Sequence, residues 1–197
     1  MTELKIVFTD GHDFKKLKTL AGIRKADIEF AESVLTEAKR KERLLSAYLK
    51  RKYVGEWKTQ GNGKPYSENV FFNVSHCDGA VVIALSDREV GVDIERVRAV
   101  KSDLTQYVVG SAEKSKINSH EDFFKVWTGK ESLVKAEGNG ITVKPDKIPS
   151  FPIDGVREYN GKEYRSKSVK IRDYILSVTL LGSEEFSLTV SEEMIGG

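Results

Sequence analysis

Gly91-Val92-Asp93-Ile94-Glu95 sets two carboxylates two residues apart. On a strand, positions i and i+2 share a face, so Asp93 and Glu95 stand side by side while Val92 and Ile94 face the other way. Adjacent carboxylates repel unless a cation joins them. Oxygen ligands of this kind suit Mg²⁺, which takes one or two protein carboxylates together with phosphates and water. The same spacing also suits a solvent-facing acidic edge. Trp127-Thr128-Gly129-Lys130-Glu131-Ser132-Leu133-Val134-Lys135 places Glu131 and Lys135 at i,i+4 of a helix. That pair is either a third carboxylate with a phosphate-meeting cation beside it, or a helix-surface ion pair worth little. Phe71-Phe72-Asn73-Val74-Ser75-His76-Cys77 ends in Ser75 and His76, both able to donate to phosphate oxygens. A Ser/His hydrolase does not fit, because adjacent side chains point apart on an extended chain and no nucleophile elbow is present. Gly63-Lys64-Pro65 is a tight turn with Lys64 as a point charge suited to phosphate. No Walker A or dinucleotide-binding glycine motif occurs.

These segments need elements to hold them. Leu4–Thr9 reads as a strand ended by Asp10-Gly11. Residues 27–53 lack Pro and Gly and repeat apolar residues at near-helical spacing, which predicts one or two helices. Val70–Val74 and Ala80–Leu85 read as strands, and Ser86–Glu89 as the link of a hairpin to a strand Val90–Ile94. Helices are expected over Lys101–Val109 and about Ser119–Ala136, the second ended by Gly138-Asn139-Gly140. From Ile141 onward polar and apolar residues alternate, which reads as antiparallel strands with Asn160-Gly161 as a hairpin turn. Helix-then-strands occurs twice, so two closely packed α+β halves are expected, 1–98 and 99–197.

Composition narrows the class. The 197 residues, 39% hydrophobic and 31% charged, suit a folded soluble chain. No apolar run approaches the roughly 18 residues of a membrane span. The first residues lack a signal-peptide pattern. The single cysteine, Cys77, rules out an intrachain disulfide and fits a reducing compartment, hence the cytoplasm. A net charge of +2 gives no argument for nucleic acid. Lys39–Lys52 nevertheless holds seven basic residues and one acid, which suits an acidic partner or a solvated helix face.

In chain order the segments GKP, FFNVSH, GVDIE and WTGKESLVK resemble the surfactin-synthetase-type family of 4'-phosphopantetheinyl transferases. The (V/I)G(V/I)D-x-E strand and the (F/W)-x-x-KE-x-x-x-K helix both match without gaps, and the resemblance runs from about Arg40 to Ile141. It implies a fold of two similar α/β halves related by a pseudo-twofold, with the active site in the cleft between them. It implies an Mg²⁺-dependent enzyme, acting as a monomer on coenzyme A and an apo acyl or peptidyl carrier protein, with no role for nucleic acid or membrane. By the resemblance, Asp93, Glu95 and Glu131 are the metal ligands. Lys130 and Lys135 meet the substrate phosphates or the carrier serine. Lys64 and Pro65 grip the nucleotide end, and Ser75 and His76 bind near the 3'-phosphate. Glu113 is the general base or holds the metal's water, with Lys135 beside it in the catalytic set. Cys77 departs from the small hydroxyl residue common in the family. The first-helix cations offering themselves for the nucleotide are Lys39, Arg40, Lys41 and Arg43. A non-catalytic coenzyme A or carrier-binding module on the same fold, and an Mg²⁺-dependent phosphohydrolase, are the competing classes.

Overall fold

The computed structural model describes residues 1–61, 63–140 and 143–195. Asn62, in the expected loop, and Ile141, the expected start of the alternating segment, lie outside them.

The chain opens with β1 (Thr2–Phe8), then three helices: α1 (Phe14–Leu17), α2 (Lys25–Glu32) and α3 (Glu37–Tyr53). The helical pattern over 27–53 thus resolves into two helices, because Thr36 starts α3 by accepting a hydrogen bond from Lys39 N at 3.4 Å. Leu44, Leu45 and Leu49 form the buried stripe of α3. A small ribbon of β2 (Lys58–Thr59) and β3 (Pro65–Tyr66) leads into β4 (Phe71–Cys77), β5 (Ala80–Ser86) and β6 (Val90–Arg96). Next come α4 (Ser102–Val108) and the long α5 (His120–Glu137). Ser119 caps the start of α5, and Gly138 ends it at φ +93°, a left-handed conformation that glycine adopts without strain. Four strands close the chain: β7 (Gly155–Tyr159), β8 (Lys162–Ile171), β9 (Tyr174–Leu181) and β10 (Leu188–Glu192). Asn160 (φ +49°) and Gly161 (φ +72°) make the β7–β8 turn, as their positive angles require.

The strands form two four-stranded sheets, ordered β10-β1-β5-β4 and β6-β9-β8-β7. Two expectations are corrected here. β5 and β6 do not form a hairpin: β6 pairs antiparallel with β9, Val92 opposite Val178, and Ser86–Glu89 carries the chain from one sheet to the other. β10 is not an antiparallel neighbour of β9 but runs parallel to β1 in the first sheet. Segment 1–98 therefore lends β6 to the second sheet, and 99–197 returns β10 to the first. The fold is α+β, and it repeats one connectivity. In β1–α3–β4–β5 and in β6–α5–β8–β9, the first strand pairs antiparallel with the last, and the last with the middle one. A pseudo-twofold relation between halves requires that connectivity.

One core cluster draws on both sheets: Leu4, Ile6, Val82 and Ala84 from the first meet Val92, Ile94, Leu176 and Val178 from the second. The second sheet carries α5 on its other face, and two features fix the helix there. Gly91 is the point of closest approach, where a Cβ would lie 2.1 Å from Ser132 O and 2.3 Å from Ala136 N. Between α5 and β9, the Thr128 and Ser177 hydroxyls stand 2.7 Å apart, and the Ser132 and Thr179 hydroxyls 2.8 Å apart. These buried pairs set the rotation of α5 and hence the direction of Glu131 and Lys135.

Candidate active site

The site lies along the seam between β4 and β6, which side chains join without a backbone ladder. Asn73 Oδ1 accepts from Val92 N at 3.0 Å, and Ser75 Oγ donates to Asp93 Oδ1 at 2.8 Å. From α5, Lys135 Nζ donates to Asp93 Oδ1 at 2.6 Å, Ser75 Oγ at 3.0 Å and Val92 O at 3.3 Å. Ser75, Asp93 and Lys135 are thus one hydrogen-bonded group assembled from three elements. Asp93 is 6% exposed, and its Oδ2 is buried with no partner among the described residues. Burial pushes the Asp93 carboxyl up, against the opposing pull of Lys135 and Ser75.

Glu131, one helical turn before Lys135, has no ion pair or hydrogen bond among the described residues, since Lys135 turns to Asp93 instead. Burial first, and then the charge of Asp93, push the Glu131 carboxyl up to about 7. Glu95 stands at the more open end of β6, where it pairs with Arg98 at 2.9 Å. Among the described residues, no three acidic, imidazole or thiol groups are grouped closely enough to hold a metal ion by themselves. The donor set nevertheless fits a hard cation. Asp93 offers a buried oxygen without a partner, Glu131 is an acid short of positive charge, and Mg²⁺ needs only one or two protein carboxylates when phosphates and water supply the rest.

Next to these groups is a cavity of about 300 Å³ lined by Lys64, Pro65, Asn73, Glu131, Val134 and Lys135, among others. The structure therefore brings the Lys64–Pro65 turn to the α5 residues across about seventy positions of sequence. Lys64 Nζ donates to Glu89 Oε2 at 2.9 Å on the way.

Three expected residues stand elsewhere. His76 lies on the opposite face of β4 from Ser75, as neighbours on a strand must. Its Nδ1 stands 3.1 Å from Oε2 of Glu42 on α3, so it faces the first helix rather than the seam. Lys130 is 1% exposed and donates to Val108 O at 2.8 Å, Pro145 O at 3.0 Å and Glu113 Oε2 at 2.7 Å. It precedes Glu131 by one residue and so leaves the helix about 100° away. Glu113 also accepts from Gly110 N at 2.9 Å, Ser150 N at 3.2 Å and the Ser150 hydroxyl. With both oxygens occupied, Glu113 ties the α4 end and the 144–150 segment to α5. Glu113, expected as a base, and Lys130, expected as a phosphate contact, are partners of each other, outside the Asp93 group. Cys77 is buried, its thiol pushed up to about 12 by burial, in keeping with a structural role.

Two residues escaped the sequence reading. Asn73, an amide in the middle of an apolar strand, is an anomaly that announces a buried hydrogen bond. Glu42, the one acid among the seven cations of Lys39–Lys52, is buried beneath His76 and Lys39.

Residues 89–179 match the model of the 4'-phosphopantetheinyl transferase superfamily. The chain is 36% identical over 102 residues to the 4'-phosphopantetheinyl transferase gsp of Aneurinibacillus migulanus, covering 47% of this chain and 40% of that protein. It is 32% identical over 95 residues to psf-1 of Bacillus pumilus (44% and 41% of the two chains), and 29% over 97 residues to Sfp of Bacillus subtilis strain 168 (45% and 43%). The chain spans about two-fifths of the length of these curated relatives. The holo-[acyl-carrier-protein] synthase structure of Thermotoga maritima aligns over 49% of this chain and 64% of its own at 18% identity, with a TM-score of 0.38. Residues 89–179, the stretch that carries Asp93, Glu95, Glu131 and Lys135, are thus similar to the 4'-phosphopantetheinyl transferase superfamily.

Proposed function

We propose that this chain transfers the 4'-phosphopantetheine arm of coenzyme A to a serine of an apo carrier protein, with release of adenosine 3',5'-bisphosphate. The observation that carries the reading is the Ser75–Asp93–Lys135 group with its unpartnered Asp93 oxygen, beside an unpaired Glu131. That group has an acid for a cation and donors for a phosphate within one hydrogen-bond network, and Glu131 adds a second acid beside it.

In this reading Asp93, Glu131 and, from the open end, Glu95 hold Mg²⁺. The ion would neutralise charge on the pyrophosphate, the usual role of a metal in such transfers. Lys135 and Ser75 then turn donors from Asp93 to phosphate oxygens, while Lys64 and Pro65 line the cavity that receives the substrate. His76 serves the nucleotide's further phosphate from the α3 side of β4. The carrier's serine oxygen attacks the β-phosphorus, the bond to the bridging oxygen breaks to release the bisphosphate, and the serine proton passes to water in the cavity. Lys135 places positive charge where the leaving phosphate gains its negative charge. Glu113 and Lys130 support the site by holding α5 rather than by moving the serine proton. The chain is read as a monomer of the reducing cytoplasm with no nucleic-acid role; no helix among the described residues is long and apolar enough to cross a membrane.

Intact-protein mass spectrometry of apo carriers incubated with the chain, coenzyme A and Mg²⁺ tests the reading. A mass gain of one phosphopantetheine group on the carrier is expected, abolished by Asp93→Ala. Coenzyme A binding without any gain would point to the binding-module class. Release of free phosphate without a gain would point to a phosphohydrolase.

A further inference from the structure

Glu42 has no place in the metal site or the cavity, yet it is 1% exposed on a helix that is otherwise heavily basic. A buried carboxylate is costly unless paired. Its Oε2 has two partners, Lys39 Nζ at 2.8 Å and His76 Nδ1 at 3.1 Å. Burial pushes the Glu42 carboxyl up, but the contacts with His76 and Lys39 outweigh it and hold it below its ordinary range. Glu42 is therefore ionised at neutral pH.

An ionised carboxylate oxygen and an imidazole lone pair repel, so a nitrogen 3.1 Å from that oxygen must carry its hydrogen. The hydrogen on Nδ1 fixes the ring. Nε2 then lies on the far side, and the His76 side chain is 44% exposed. The other groups around the ring do not compete for it. Val81 stands opposite His76 on β5. Asp93 and Glu95 of β6 act on the other face of β4, where Ser75 and Cys77 point. From α3, Glu42 contacts the ring and Lys39 contacts Glu42.

We propose that Glu42 is a positioning residue: it holds the His76 imidazole with Nδ1–H inward and Nε2 outward, so that Nε2, on taking up the ring's second proton, donates together with Lys39 to a phosphate monoester. The arrangement parallels second-layer carboxylates that fix the tautomer and orientation of a functional histidine. The inference rests on the reading that His76 serves a phosphate of coenzyme A, but not on the transfer step.

The test uses the full chain without metal. Nitrogen-15 NMR assigns the hydrogen-bearing nitrogen of neutral His76. Calorimetry compares adenosine 3',5'-bisphosphate with adenosine 5'-phosphate. In the wild type, Nδ1 should carry the hydrogen and the bisphosphate should bind at least about tenfold more tightly, equivalent to about 1.4 kcal/mol. Glu42→Leu should abolish that nitrogen signature and most of the preference. Glu42→Gln, whose amide oxygen still accepts from Nδ1–H, should keep the signature and part of the preference. A folded Glu42→Leu protein with either property unchanged overturns the proposal. Should that variant fail to fold, the wild type decides: a hydrogen on Nε2, or equal binding of the two nucleotides, overturns it as well. Absence of carrier modification with these results intact would instead count against the transferase reading.

Discussion

Burial and the charge of Asp93 push the Glu131 carboxyl up to about 7, so near neutral pH it ionises against a neighbouring acid. Between the ordinary carboxylate range and about 7, the folded chain binds the proton that the unfolded chain has released. The contribution of Glu131 to stability is therefore present at low pH and falls as pH rises through that window. A divalent cation should recover what is lost, since it replaces the proton. The thermal midpoint is thus expected to rise little on adding Mg²⁺ at pH 5 and by several degrees at pH 8, at about 3 °C for each kcal/mol. Glu131→Gln should flatten that dependence. Equal Mg²⁺ shifts at both pH values would remove Glu131 from the ligand set. Among single residues, spacing showed that Asp93 shares a strand face with Glu95 and Glu131 a helix face with Lys135, because strand and helix periods fix which side chains share a face; their joint role in a site came from the family resemblance. The direction Lys135 takes was not, because it depends on Asp93 arriving from another element.

The elements place α5 with little freedom. A Cβ on Gly91 would fall within 2.1 Å of helix backbone, and backbone cannot yield as a flexible side chain can. Gly91→Ala should therefore lift α5 from β6, costing about 3 kcal/mol of stability and lowering transfer by displacing Lys135 from Asp93. Chemical denaturation together with the transfer rate checks this; a stable, active Gly91→Ala protein would contradict the packing. The far side of α5 is anchored by Lys130, buried against Glu113, Val108 O and Pro145 O. Removing one member of a buried pair strands the other, at about 3–5 kcal/mol. Lys130→Met should accordingly destabilise the chain by about that much. Glu113→Gln should also lose stability, with activity falling only in proportion to the unfolded fraction at assay temperature. A Glu113→Gln protein of full stability and no turnover would restore Glu113 as a base. The helix-and-lysine pattern of this segment was visible in sequence, but Lys130 and Lys135 look alike there. Only the rotation of α5, set by Gly91 and by the Thr128–Ser177 and Ser132–Thr179 hydroxyl pairs, tells the buried cation from the seam cation.

At the scale of the molecule, strand positions were readable and strand partners were not. Period-2 alternation shows that β6 and β10 have an inner face, but it does not say which sheet completes them. Each crosses the expected division at 98/99, β6 to β9 and β10 to β1. The basic run of α3 also changes meaning in three dimensions. Lys41 pairs with Glu37, Arg51 with Asp27 and Glu56, Lys52 with Glu193, and Lys50 lies 4.4 Å from the Trp57 ring centroid. Much of its charge is thus answered within the chain, including by an acid just past β10. The exchange of strands and the shared core predict one cooperative unit. β1 has β5 on one side and β10 on the other, and its inward residues Leu4 and Ile6 share a cluster with Val92, Ile94 and Leu176 of the second sheet. A chain of residues 1–88 lacks β10 and exposes that cluster, so it should show no cooperative melting by circular dichroism. Mixed with residues 89–197, it should regain structure, because every missing strand and apolar face is then supplied. The intact chain should unfold in a single transition whose midpoint is the same by near- and far-ultraviolet signals. Two separated transitions, or a cooperative melt of residues 1–88 alone, would show that the two sheets stand independently, and the seam that joins Ser75 to Asp93 would then have to be held by something other than the shared core.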